Sequence, residues 1–141
     1  MAVMRYLTFI RGEQSPAVGV LLSDSLRVLD LSHASCSDIM AGLGSNLLDI
    51  VKAGLPALTT KITSKIEIGS YDPEAILRLN AIAICAPIPR PGKVVGAAYN
   101  FTDALDERSM PHPSEPVIFI RSGNTVIGPN DAISSRQMSG M

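Results

Sequence analysis

The sequence predicts an α+β fold, in which a small meander of strands and a set of helices precede a more β-rich region. Short apolar runs separated by turn residues come first, apolar residues at helical spacing follow, and apolar runs bounded by prolines fill the last third. This change in composition places the expected domain boundary at about Ala86. We therefore expect an N-terminal α/β domain over residues 1–86 and a β-rich domain over residues 87–141.

Three strands are expected at the start of the chain. Apolar residues alternate or dominate over 4–10, 17–22 and 26–31, and clusters of Gly, Ser, Asp and Pro separate these runs. Short strands joined by tight turns are typical of a meander.

Two amphipathic helices are expected next. Apolar residues recur at helical spacing from about residue 39 to residue 52, and Gly54 indicates the end of this first helix. Gly42 and Gly44 weaken its middle, because each costs up to about 1 kcal/mol relative to alanine. A second amphipathic segment continues over 55–66. The simplest interpretation of both apolar stripes is packing against a core.

The approach to the second region is less clear. Residues 71–79 fit a helix that starts at Asp72 or an extended strand, and 81–86 is expected to be a strand. Three prolines then fall within residues 87–91, which neither a helix nor a central strand can absorb. We therefore expect these residues to form a stiff, extended connection between the two regions.

A strand and a short helix are expected directly after this connection. Residues 93–99 form a short apolar run, and Asn100 is a good N-cap for a helix over 102–108. The small residues Gly96 and Ala97 would let a ligand or another backbone approach closely. Polar residues at such a strand-to-helix junction commonly hold a ligand.

The last part of the chain is expected to alternate loops and strands. Residues 108–116 contain three prolines and form a stiff loop, 117–121 is a strongly apolar strand, and 125–127 is a short strand. Residues 134–141 carry almost no apolar side chains besides methionine and are expected to form a frayed end.

Composition narrows the function. The formal net charge is −1, so the chain has no long-range field to gather nucleic acid or anionic lipid. No leader-like segment and no run of about 20 apolar residues occurs, so a cytoplasmic protein without a membrane partner is expected. Cys36 and Cys85 stand far apart and are expected to be buried apolar residues, with a disulfide or metal pair as the alternative.

Several motifs occur in register. They are the proline-rich segment 87–93, Tyr99-Asn100-Phe101 with Asp103 and Glu107, and the segments 115–121 and 127–131. In this order and spacing the chain resembles the N-terminal half of the fumarylacetoacetate hydrolase family. The resemblance implies that the β-rich region is the opening of a catalytic β-sandwich roll, and that this roll is incomplete here.

The resemblance also implies a function. Enzymes of this family act on small 2-oxo acids of the acylpyruvate type by C–C bond hydrolysis, decarboxylation or isomerisation, with Mg²⁺ or Mn²⁺ and as homodimers. Two departures matter. The family's catalytic histidine position is Ala104 here, and the family's Glu-x-Glu metal motif does not occur in this sequence. We therefore expect no metal ligands and no tight divalent ion in this chain, and no activity of the chain alone.

Four residues are the candidates for a site. The resemblance makes Glu107 the catalytic base, and makes Tyr99, Asn100 and Arg121 substrate-binding residues, with Arg121 near a substrate carboxylate. The alternatives are a solvated glutamate, a surface arginine, and core and capping roles for Tyr99 and Asn100. His112 is expected to be an exposed loop histidine rather than a substitute for the missing one.

The sequence therefore predicts a fragment of a metal-dependent enzyme whose partner is a small 2-oxo acid. The alternative is a non-catalytic module that binds a small acid or another protein.

Overall fold

The computed structural model describes residues 4–133, so the predicted frayed end at 134–141 lies outside the described residues. The described chain divides into two compact units: residues 4–88 with 127–133, and Pro89–Val126. The boundary expected at Ala86 lies two residues before this division. The α+β class is confirmed, since both helices and antiparallel strands are present.

The first unit contains a curled five-stranded antiparallel sheet. The predicted meander forms its centre, and two strands of three residues each pair with its outer edges, in the order β4-β3-β2-β1-β5. The strands are β1 (Arg5–Ile10), β2 (Ala17–Leu21), β3 (Arg27–Asp30), β4 (Ile76–Arg78) and β5 (Ala83–Cys85).

Three helices connect β3 to β4: α1 (Ser37–Met40), α2 (Leu47–Ala53) and α3 (Leu55–Ile68). The single helix predicted over 39–52 is therefore wrong. Gly42 adopts a φ of +76°, which ends α1, and Asn46 starts α2 by accepting a hydrogen bond from Asp49 N at 3.0 Å.

The ambiguous stretch 71–79 contains both expected structures. Asp72 accepts a hydrogen bond from Glu74 N at 2.9 Å and caps one short 3₁₀ turn, Pro73–Ala75. The chain then continues directly as β4. Ala75 is buried, and Ile76 pairs with Leu29 of β3.

The main core lies between the helices and one face of the sheet. It joins Val18, Val20 and Leu29 of the strands to Ile39, Ile50, Leu58 and Ile62 of the helices. A smaller cluster of Phe9, Val28 and Leu77 lies on the opposite face.

Two close contacts define the packing at β2 and β1. A Cβ at Gly19 would lie 2.5 Å from Val28 Cγ1 and 3.0 Å from Phe9 Cε1, so only glycine lets these side chains close over β2. Thr8, which is 5% exposed, donates a hydrogen bond to Pro87 O at 2.7 Å and ties the start of the proline-rich connection to β1.

The second unit contains a two-stranded sheet and one short helix. β6 (Val94–Ala98) pairs antiparallel with β7 (Val117–Arg121), and α4 (Thr102–Glu107) lies between them in the chain. The strand predicted over 125–127 is wrong. Gly123–Thr125 is a 3₁₀ turn, in which Thr125 Oγ1 donates to Ser122 O at 2.7 Å. The larger β-sandwich roll stays a prediction.

None of the helices within residues 4–133 combines the length and apolar character needed to cross a bilayer.

Candidate functional site

A shallow depression lies where β6 ends and α4 approaches. Its volume is about 270 Å³, and residues 97–100 and 113–117 line it. The two segments meet because the antiparallel register sets Ala98 opposite Val117, so the residues after one strand face the residues before the other. Two of the predicted site residues, Tyr99 and Asn100, are therefore in the same depression.

Tyr99 has an unusual backbone conformation. Its φ is +54°, in the left-handed region that a bulky side chain rarely adopts. The other non-glycine residues with positive φ between 4 and 133 are Ser25, Ser109 and Asn130, all small or polar. Such a conformation costs on the order of 1–3 kcal/mol and often marks a functional position. Here it turns the chain sharply between β6 and α4.

Asn100 does not cap α4, so that prediction is wrong. Phe101 occupies the N-cap position without a side-chain hydrogen bond, and Asp103 Oδ1 instead accepts from Ala104 N at 2.9 Å. The helix begins one residue later than Asn100 needs in order to reach its first amides. The Asn100 side chain is consequently left at the edge of the depression, where its amide is available to a ligand.

Glu107 is the last residue of α4 and is exposed. Ala104 and Glu107 are three residues apart and share a helix face, as the sequence suggested. The depression is lined instead by another carboxylate, Glu115, together with Ser114. Sequence reasoning missed both as site residues, because only the register of the β6–β7 pair brings them beside Tyr99.

Arg121 lies at the other end of the antiparallel β6–β7 pair, here called the hairpin. It pairs with Val94, four residues along β7 from Val117, which is about 13 Å at the usual rise per residue. Its guanidinium carbon lies 5.5 Å from the centroid of the Phe119 ring, a cation–π contact. The structure therefore does not bring Arg121 to the depression that holds Tyr99 and Asn100.

His112 contacts α4 rather than standing free. Its Nε2 lies 3.0 Å from Asp106 Oδ1, and both side chains are more than half exposed. An exposed pair of this kind contributes little stability. His112 is thus an exposed loop histidine, as predicted. It contacts Asp106, the residue before Glu107.

The two cysteines lie outside this depression. Burial raises the pKa of the Cys36 thiol, and it also raises the pKa of the Cys85 thiol. Both cysteines are free; Cys36 is buried, whereas Cys85 is only partly buried, so the expectation of burial is wrong for Cys85. Within the described part of the chain, no three His, Cys, Asp or Glu side chains gather where they could hold a metal ion. A magnesium-type ion needs several oxygen ligands in one place, so residues 4–133 do not fit such an ion.

Comparison with known proteins identifies the family. No protein-family model matches the chain. Oxaloacetate tautomerase fahd2, mitochondrial, of Xenopus laevis is 30% identical over 131 residues, which cover 92% of this chain and 38% of that protein. The fumarylacetoacetate hydrolase domain-containing protein 2 homolog of Dictyostelium discoideum is 29% identical over 136 residues, 93% of this chain and 40% of that protein. The chain belongs to the fumarylacetoacetate hydrolase family.

The resemblance seen in the sequence motifs is therefore confirmed. The human oxaloacetate tautomerase FAHD2A, mitochondrial, is 34% identical over a shorter stretch of 58 residues, 41% of this chain and 18% of that protein. The chain spans about two fifths of the length of the Xenopus and Dictyostelium relatives. The names of the Xenopus and human relatives refer to mitochondria, whereas a cytoplasmic location stays a prediction for this family member.

Proposed function

We propose that the protein to which these residues belong isomerises a small 2-oxo acid between its keto and enol forms. We further propose that the depression lined by residues 97–100 and 113–117 holds part of that acid. Two curated relatives that carry the name oxaloacetate tautomerase support this reaction class. The observation that carries the proposal is that Tyr99, Asn100 and Glu115 border one depression.

These three side chains supply what a tautomerisation requires. The reaction moves one proton from the carbon beside the carbonyl to the carbonyl oxygen, and no bond to water forms. The Glu115 carboxylate can accept the proton from carbon, while the Tyr99 hydroxyl and the Asn100 amide can donate hydrogen bonds to the oxygens of the acid. The proton then passes to the enolate oxygen, so the side chains return to their starting state.

Ala104 favours isomerisation over hydrolysis. Hydrolysis of a C–C bond needs a base that activates water, and the methyl group of Ala104 cannot accept a proton. Glu107 on the same helix face is then the only acid–base group left from the family's pair. It remains our candidate for water activation if the protein hydrolyses an acylpyruvate.

The family resemblance implies Mg²⁺ or Mn²⁺, which stabilises an enolate when it is bound. Residues 4–133 do not fit such an ion, so the proton transfer above uses only side chains of this chain. We expect this chain by itself to bind Mg²⁺ no better than a generic acidic surface. Stoichiometric micromolar binding in a calorimetric titration would contradict that expectation.

The test is the rate at which the full-length protein converts enol oxaloacetate to the ketone, followed by the loss of enol absorbance in the ultraviolet. Glu115→Gln is expected to lower kcat by about 10²–10⁴-fold, the usual size of general-base catalysis. Glu13→Gln, in an exposed turn of the first unit, is the matched control and should leave kcat unchanged.

Two further variants separate the possible reactions. If Glu107→Gln abolishes turnover while Glu115→Gln does not, the base has been assigned to the wrong carboxylate. If Ala104→His produces acylpyruvate hydrolysis that Glu107→Gln removes, the helix face belongs to a hydrolase. If the protein binds the acid in an NMR titration without any turnover, it is a binding module and the proposed isomerisation is wrong.

A further inference from the structure

A second cavity lies in the first unit, where β3 begins and β4 ends. Its volume is about 540 Å³, twice that of the depression described above. It is lined by Asp24, Leu26, Arg27, Arg78, Leu79 and Asn80. The proposed isomerase reaction uses none of these residues, and none belongs to the motifs that carry the family resemblance.

Two arginines stand side by side at this cavity. Arg27 and Arg78 are direct partners in the antiparallel β3–β4 pair. Like charges directly opposite each other on a sheet are destabilising. The ion pairs of the described residues include a single carboxylate on this arginine pair, Asp24, and it contacts Arg27 alone. Among residues 4–133, the Arg78 charge therefore has no carboxylate in ion-pair contact.

Asp24 is fixed in a way that keeps part of Arg27 free. Its Oδ1 accepts hydrogen bonds from Leu26 N at 2.9 Å and Arg27 N at 3.1 Å, while its Oδ2 accepts from Arg27 Nε at 2.5 Å. These contacts use the inner edge of the Arg27 guanidinium. The terminal nitrogens of Arg27 remain available beside Arg78, whose side chain is exposed.

The rest of the cavity is suited to a small organic anion. Leu26 is 70% exposed and Leu79 lies beside it, so together they present an uncovered apolar wall. A backbone hydrogen bond of 2.8 Å from Leu79 N to Leu26 O joins the two segments that line the cavity. Asn80 adds a side-chain amide that can donate to an oxygen. Planar guanidinium groups match the paired oxygens of carboxylates and phosphates.

We propose that this cavity binds a small anion whose carboxylate or phosphate oxygens lie on Arg27 and Arg78, with its carbon chain against Leu26 and Leu79. The bound oxygens replace the missing counter-charge at Arg78 and relieve the repulsion between the two strands. The site is separate from the proposed isomerase site, so either proposal can fail without the other.

The experiment titrates this chain with malonate and with inorganic phosphate at constant ionic strength, with sodium chloride as the reference. Amide and arginine Nε–H signals of residues 24–27 and 78–80 are followed by NMR. Saturable shifts with a millimolar dissociation constant are expected. Saturation by malonate alone identifies a carboxylate site, and saturation by both identifies a general oxyanion site. Shifts that match those with chloride overturn the proposal.

Three variants make the test specific. Arg78→Gln is expected to weaken binding at least tenfold, while Arg90→Gln removes the same charge from the other unit and should change nothing. Asp24→Asn keeps the oxygen that holds the turn but removes the competing charge, so it should tighten binding several-fold. Equal affinities for Arg78→Gln and Arg90→Gln, or weaker binding by Asp24→Asn, would show that the arginine pair is not a site.

Thermal melts without added anion guard against misfolding. Because Arg78→Gln removes a repulsion, its melting temperature should not fall below that of the unchanged chain. A variant that melts normally and has lost the anion response supports the site. A variant that retains the full response overturns it.

Discussion

The two units use apolar residues in opposite ways. In the first unit, helices cover one face of the sheet, and residues such as Ile50, Ile62 and Leu29 are completely buried. In the second unit, β7 begins with four large apolar residues, yet Ile118 is 56% and Ile120 is 67% exposed. Burial is decided by whether a second layer lies over a strand, and apolar sequence by itself does not supply that layer.

The exposed face of the second unit has a definite composition. Val95, Ala97, Ile118 and Ile120 share one side of the β6–β7 pair, since Val95 stands opposite Ile120 and Ala97 opposite Ile118. The described residues of the unit place only Leu105 in a buried position. Four predictions test how far this contrast reaches, and the homodimer expected from the family stays a prediction beside them.

The largest expected difference is between two isoleucines. Ile62→Ala leaves a cavity in the main core and should cost about 2–5 kcal/mol of unfolding free energy. Ile120→Ala removes the same atoms from an exposed strand and should cost less than about 0.5 kcal/mol. Urea unfolding followed by circular dichroism measures both. Equal losses would mean that another part of the protein covers the hairpin in solution.

Two glycines test whether neighbours can move. An added methyl at Gly19 meets Val28, which is fully buried, so Gly19→Ala should cost about 1–3 kcal/mol through overpacking. An added methyl at Gly96 meets the ring of Phe119 even more closely, but that ring is 40% exposed and can rotate away. Gly96→Ala should therefore be nearly neutral in the same measurement. A larger loss at Gly96 would contradict the idea that the hairpin face is free.

Two threonines donate the same kind of hydrogen bond in different surroundings. Thr8→Val removes a buried donor to Pro87 O and should cost about 1 kcal/mol, because the carbonyl loses its partner. Thr125→Val removes an exposed donor to Ser122 O, which water replaces, so its effect should be within about 0.5 kcal/mol. Thermal unfolding can rank the pair. The reverse order would place Thr125 under a covering layer.

The smallest effect concerns the pair between α1 and α3, where Lys65 Nζ lies 2.7 Å from Asp38 Oδ1. This hydrogen bond lowers the pKa of Asp38 in the folded state. A lowered carboxyl pKa stabilises the fold above the unfolded pKa of about 3.9, and that stability is lost as pH falls through the folded pKa. Asp38→Asn should slightly lower stability at pH 7 and leave it unchanged well below pH 3. Asp106→Asn is the control in the second unit. A difference between Asp38→Asn and the unchanged chain that persists at low pH would contradict the linkage.

Local signals predicted most of the first unit. Alternation identified β1, β2 and β3, and helical spacing identified α3, because each of these elements covers its own stripe of the core. The break between α1 and α2 was missed. Glycine at position 42 permits a positive φ, but only the surrounding packing determines whether the chain adopts it.

The candidate site was predicted only in part, for a related reason. Tyr99 and Asn100 were predicted from the family resemblance, and the local junction of strand and helix also pointed to them. Glu115 belongs to the same depression through the pairing of β6 with β7, and register across a loop cannot be read from one strand alone. Arg121 was placed at the site by resemblance, whereas the same register sets it at the far end of the hairpin.

The position of β5 has a consequence for biosynthesis. β5 pairs with β1, so residues 83–85 complete an edge that began with residues 8–10. At a synthesis rate of roughly 5–20 residues per second, that edge of β1 stays open on the ribosome for about 4–15 s. An open strand edge can pair with another chain, so nascent copies on neighbouring ribosomes compete with β5 during that interval. Slower translation between residues 10 and 85 should therefore lower the yield of native protein.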